Sequence, residues 1–223
     1  MPRIKKWIDN KITLVKGVKR KEDVLSSISH AAGFILAAAG TVLLVLKSVS
    51  GRGITASLVY GISMAVVYAA SATYHGLKKS TIKRIFRLID HSSIYILIAA
   101  TYTPYTMAMD PGIGHPMIIT IWSAAVVGLI LNFLFWDRFK VLHITIYLIM
   151  GWMVLLYWSS FTETFDPALI KWMFIGGFLY SGGIFFYINR KISFSHVIWH
   201  FFVLGGTLGL YIGIYKYVVP IIY

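Results

Sequence analysis

The sequence predicts an all-α, polytopic membrane protein: a seven-transmembrane helix bundle with its N-terminus cytoplasmic and its C-terminus outside. Three observations carry that prediction. Of 223 residues, 58% are hydrophobic and 13% charged, with a mean hydropathy of +0.75; a soluble domain carries about 25% charged residues. Too few charges remain to cover a water-facing surface, which excludes a soluble enzyme, a disordered chain and a small secreted domain. Apolar runs of about 20 residues recur, each long enough to cross a bilayer core of ~30 Å as a helix. Lys and Arg are segregated to alternate connections between those runs, as the positive-inside rule requires.

The elements follow in order. Residues 1–23 form a basic cytoplasmic segment. Within it Trp7, Ile8, Ile12, Val15 and Val18 are interleaved with lysines, which fits either a short amphipathic helix on the inner membrane face or a flexible basic tail. The membrane domain spans 24–217, with apolar segments at 24–46, 53–75, 86–109, 117–135, 141–159, 168–188 and 195–217. The first is longer than the ~7–15 residues of a signal-peptide core and six more follow it, so it is expected to persist in the mature protein. Pro104, in the third segment, is expected to kink that helix. Glycines at 182–183 and 205–206 read as close contacts between helices, and Trp158 and Trp172 as parts of an outer aromatic belt. Residues 218–223 form a short outer tail.

Orientation comes from counting cations. One side holds Arg3, Lys5, Lys6, Lys11, Lys16, Lys19, Arg20, Lys21, then Lys78, Lys79, Lys83, Arg84, Arg87, then Arg138, Lys140, Arg190 and Lys191. The other holds Lys47, Arg52, Lys171 and Lys216. Seventeen against four puts the N-terminus inside. The same split accounts for the net charge of +13 as a topology determinant facing an anionic leaflet. No nucleic-acid-binding motif accompanies the charge, so no nucleic-acid partner is expected. Cysteine is absent, which excludes disulfides and thiolate chemistry.

An ionisable group inside a span costs at least a few kcal/mol and points to function. Of the acidic residues only Asp90 falls within a segment; the others lie in loops or the N-terminal segment. His75 ends the second segment, Asp90 begins the third, and His196 and His200 begin the seventh, so alternation of direction brings all four to one depth near the inner leaflet. His196 and His200 stand four residues apart and share a helix face, a spacing that lets two imidazoles hold one zinc ion (Zn2+). His75 supplies a third nitrogen, and three histidines leave a fourth position open for a water that zinc would acidify to a pKa of about 7. Asp90 is the candidate general base. Ser71, one turn before His75, is placed to orient water or to donate to a substrate oxygen. His30 lies near the same end, where packing is the plainer role; His91 points about 100° away from Asp90 around the helix and reads as interfacial.

The stretches SISHAAG (Ser27–Gly33), SATYH (Ser71–His75), DHSSIYILIAATYTPY (Asp90–Tyr105) and HVIWHFFVLGG (His196–Gly206) resemble the hemolysin III family, the bacterial branch related to the progestin and adipoQ (adiponectin) receptors. The resemblance covers most of the chain. It implies seven helices with an inside N-terminus and an intramembrane zinc held by His75, His196 and His200, with the carboxylate at Asp90 beside the metal's water and the serine at Ser71 next to it. A wider superfamily with this pattern includes alkaline ceramidases and is proposed to hydrolyse lipid amides within the membrane. Relatives often carry a further histidine where this chain has Leu210; about 15 Å along the helix, it is too distant to affect the metal site.

These readings lead to a zinc-dependent hydrolase of a lipid amide or ester in the bacterial cell membrane, acting on a membrane lipid or lipid-like substrate. Two alternatives come from other classes. One is a receptor or sensor with structural zinc. The other is a pore-forming cytolysin, as the family name suggests, although the intramembrane polar groups concentrate at the inner end rather than along a path.

Overall fold

A computed structural model describes residues 2–15, 17, 19–136 and 138–223. Lys16 and Val18, counted above in the basic segment and its apolar pattern, lie outside the described residues. The helices are α1 (Pro2–Lys11), α2 (Arg20–Lys47), α3 (Gly51–Gly76), α4 (Thr81–Ala108), α5 (Pro111–Leu134), α6 (Lys140–Gly151), α7 (Trp158–Thr164), α8 (Pro167–Ile188) and α9 (Ser195–Gly213). A 3₁₀ segment (Met153–Tyr157) joins α6 to α7, and α9 continues through a π segment (Ile214–Val218) and a last 3₁₀ turn (Val219–Ile221). Among the described residues there is no strand.

Four helices, α3, α4, α5 and α8, start where capping chemistry puts them rather than where hydrophobicity begins. Ser50 accepts from the Gly53 amide, Ser80 from Lys83, Asp110 from Gly112 and Asp166 from Ala168. Pro111 and Pro167 follow their acidic caps at the first helical position, where a missing N–H costs nothing. As a result α4 and α5 begin five and six residues before the apolar runs at 86 and 117.

Six helical stretches among the described residues are long and apolar enough to cross a membrane: Arg20–Lys47, Gly51–Gly76, Pro111–Leu134, Val141–Thr164, Pro167–Ile188 and Ser195–Ile221. Their outer faces expose Ile35, Leu36, Ile119 and Leu156, the last 81% accessible, a surface suited to lipid and not to water. The chain is a multi-pass helical membrane protein. The 28-residue α4 is less apolar for a physical reason: it packs between α3 and α5, with Ser93, Thr101, Tyr102, Thr103 and Thr106 buried. Thr101 and Thr103 donate back to the carbonyls of Leu97 and Ala99, so their hydroxyls are satisfied without water.

The expected fifth segment is interrupted. Between α6 and the 3₁₀ segment the Tyr102 hydroxyl donates to the Gly151 carbonyl at 2.8 Å and accepts from the Val154 amide at 3.1 Å. One side chain thus satisfies backbone groups that a broken helix would leave bare in an apolar medium. Tyr102→Phe is expected to lower stability by about 1–3 kcal/mol, read as a fall in the detergent-melting temperature; an unchanged melting temperature would remove this role.

Of the glycines expected at helix contacts between α8 and α9, Gly183 and Gly206 are the tightest, whereas a Cβ on Gly182 would meet Phe202 at an ordinary 3.6 Å. A Cβ on Gly183 would stand 2.7 Å from Phe202, and one on Gly206 would stand 2.6 Å from Tyr180. Backbone also meets backbone here, at two glycines the sequence did not single out: a Cβ on Gly176 would stand 2.9 Å from the Gly206 carbonyl oxygen, and one on Gly209 would stand 3.1 Å from the Gly176 amide nitrogen.

The N-terminal segment is partly helical and docked. Asp9 pairs with Arg84 at 3.1 Å and accepts from Thr81 at 2.9 Å, Trp7 packs on Phe133, and Ile12 is 1% exposed. Arg84 and Arg87 donate to the carbonyls of Ile12 and Thr13. The segment therefore folds against α4 and α5 rather than trailing from the first span.

Candidate metal centre

The ends of α3 and α9 meet at the start of α2. His75 and His200 are buried and His196 half-buried. One ring nitrogen from each lies within 4.8 Å of the other two, and His75 Nε2 stands 3.2 Å from His196 Nε2. Nitrogens bound to a tetrahedral zinc at about 2.0–2.1 Å stand roughly 3.4 Å apart, so this pair is already at ligand spacing.

The opposite ring nitrogens are held by groups that accept. His75 Nδ1 donates to Asp23 Oδ1 at 2.9 Å. His200 Nδ1 lies 3.2 Å from the Ser26 carbonyl and 3.2 Å from the Ser29 hydroxyl. A carboxylate and a carbonyl only accept, so both Nδ1 atoms carry the proton and both Nε2 atoms are unprotonated, that of His75 turned toward His196 Nε2. Outer partners that fix the tautomer and ring orientation are what a histidine metal ligand requires. The donor set, its spacing and its hydrogen bonding fit zinc.

Asp23 also receives Lys83 Nζ at 3.0 Å, and Lys83 donates to the Leu77 carbonyl at 3.0 Å. Asp23, Lys83 and His75 thus form a chain across α2, α4 and α3. The sequence reading left Asp23 in the N-terminal segment, but α2 begins at Arg20 and places it on the first turn. Its presence two turns before the cluster-facing His30 was the available signal.

The other expected residues are close by. Ser71 is buried and hydrogen-bonds the Asp90 carboxyl. The Asp90 side chain is 15% exposed and stands 3.6 Å from His91 Nδ1. His91 therefore sits beside Asp90 despite its rotation around the helix. His30 joins the cluster by stacking: its ring lies parallel to that of His200 with centroids 3.6 Å apart, and edge-on to Tyr68 at 5.1 Å. His143 lies apart from the cluster, its Nδ1 2.7 Å from the Tyr95 hydroxyl. Polar groups also reach deeper than the sequence suggested. The Tyr68 hydroxyl donates to Thr207 Oγ1 at 2.6 Å, and the Tyr180 hydroxyl lies 2.5 Å from that same oxygen.

The family model for Haemolysin-III related proteins matches residues 18–211, and the chain belongs to that family. It is 35% identical over 205 residues to the hemolysin-3 homolog of Bacillus subtilis (strain 168), covering 90% of this chain and 96% of that protein. To hemolysin-3 of Bacillus cereus it is 33% identical over 204 residues, 90% of this chain and 93% of the relative. The likeness extends to the human monocyte to macrophage differentiation factor, 30% identical over 203 residues, 88% of this chain and 84% of the human protein.

Proposed function

We propose that this protein is a zinc-dependent hydrolase of a lipid amide or ester, spanning the bacterial cell membrane seven times with its N-terminus in the cytoplasm. The observation that carries the reading is the set of three imidazole nitrogens within 4.8 Å of one another, two of them with orienting partners on the far side of the ring. The seventh span is α4, whose burial among its neighbours explains its lower hydropathy. The inside N-terminus follows from the segregation of Lys and Arg.

A zinc ion held by three imidazoles supplies Lewis acidity, which polarises a carbonyl and acidifies water. The chain supplies the rest. His75, His196 and His200 hold the ion, with Asp23 and the Ser26 carbonyl keeping two of the rings in register. The Asp90 carboxylate, oriented by Ser71, takes a proton from water and returns it to the departing nitrogen or oxygen. A site at the inner end of the bundle suits an amphiphile whose polar bond lies just below the headgroup.

The test is turnover of acyl-amide and acyl-ester lipids by purified protein in vesicles. Wild type is expected to release fatty acid. Asp90→Asn is expected to slow release about 10²–10⁴-fold while keeping its zinc. Zinc-loaded wild type that is stabilised by the metal but consumes no lipid would replace this reading with a receptor carrying structural zinc.

A further inference from the structure

A cavity of about 400 Å3 opens over the three-histidine cluster, with His75 and His196 in its wall. Its charged lining comes from three places. Lys19 stands just before α2, Arg190 and Lys191 lie in the short connection between α8 and α9, and Glu22 and Asp23 lie on the first turn of α2. Asp23 is already engaged by His75 and Lys83. The three cations have no ion pair among the described residues, unlike Lys83 and Arg84, and Arg190 shares the cavity wall with Tyr74 and His196.

Two further features point to an oxyanion. Ser26 also lines the cavity; it is 0% exposed, and its hydroxyl has no partner among the described residues. A buried hydroxyl without a partner is costly, and here it belongs to a residue of the cavity wall whose own carbonyl stands 3.2 Å from His200 Nδ1. The second is the start of α9. Phe194 takes a left-handed turn (φ 58°) into the helix and provides no side-chain cap, so the positive end of a 19-residue helix lies in the cavity wall. Uncapped helix N-termini beside cationic side chains are suited to phosphate.

We propose that this cavity binds the phosphate headgroup of a lipid, with Arg190, Lys191 and Lys19 at the mouth and Ser26 at the floor. The consequence for substrate rests on the hydrolase reading above: the substrate class becomes a phosphate-bearing acyl lipid whose acyl bond lies beside His75 and His196. Binding itself needs neither metal nor turnover.

The test uses the full chain in a neutral maltoside detergent, stripped of metal by chelation, titrated with dodecyl phosphate, dodecanol and inorganic phosphate. Dodecyl phosphate is expected to bind, and dodecanol and inorganic phosphate to bind at least tenfold more weakly. Exchanging Arg190→Gln and Lys191→Gln together, both exposed and so compatible with folding, is expected to weaken dodecyl phosphate about tenfold or more. Ser26→Ala is expected to weaken it severalfold with an unchanged melting temperature. Equal binding by wild type and the double variant, or by dodecyl phosphate and dodecanol, overturns the site. Inorganic phosphate binding as tightly as dodecyl phosphate overturns the headgroup assignment. Because the protein is metal-free, a failure here leaves the hydrolase reading standing, and failure of turnover leaves this site standing.

Discussion

His196→Ala is expected to take the purified protein from about one zinc per chain to less than about a tenth, measured by elemental analysis after gel filtration. His196 Nε2 stands 3.2 Å from His75 Nε2, and no other described His, Cys, Asp or Glu completes a three-ligand group there. Two imidazoles without a third do not make a site that survives purification, because a stable zinc site needs at least three protein ligands. The same loss should appear in stability. A ligand that binds only the folded state at about a thousand times its Kd adds about 4 kcal/mol, so added zinc should raise the melting temperature of wild type and leave that of His196→Ala unmoved. Wild type that holds no zinc, and gains none on addition, would end the metal reading. The histidines would then be a polar packing cluster joined by stacking and hydrogen bonds.

Asp23→Ala is expected to produce two separable losses. Removing the carboxylate frees His75 Nδ1 from its 2.9 Å partner, and loss of such an outer contact weakens metal binding about 10–100-fold. It also leaves Lys83, whose side chain is 8% exposed, without a counter-charge, holding only the Leu77 carbonyl and the face of the Tyr74 ring. Breaking a buried pair by removing one member costs about 3–5 kcal/mol; Asp23 itself is 17% exposed, so the lower end is expected. Asp23→Asn separates the two effects. Its amide oxygen still accepts from His75 and should retain most of the zinc affinity. It carries no charge for Lys83, and should melt nearly as low as Asp23→Ala. If Asp23→Ala bound zinc as tightly as wild type, Asp23 would be a structural anchor for Lys83 and nothing more.

Membrane character and the approximate places of the six helical stretches long and apolar enough to cross a membrane were legible because hydropathy acts locally: about twenty apolar residues in a row have one stable home. His75, His196 and His200 were legible as a set because a helical bundle alternates direction, which turns position along the chain into depth. Their common depth made a shared site predictable without any contact being known. Asp90 stood out for a similar reason, as an acid inside an apolar segment.

What the sequence by itself determined, then, was an all-helical membrane bundle and the three imidazoles at one of its ends. Asp23 could not be found that way. It lies among charged residues in a stretch that reads as a tail, and its importance comes from α2 starting early enough to bring it against α3. Nor could the break after Gly151, whose backbone is satisfied by a tyrosine 49 positions earlier, or the stacking of His30 on His200. Those depend on which helix faces meet. Neighbour choice in an apolar medium is decided by shape, as at Gly209 against Gly176, and by pairing of buried polar groups, both of which are properties of the packed bundle and not of any one segment.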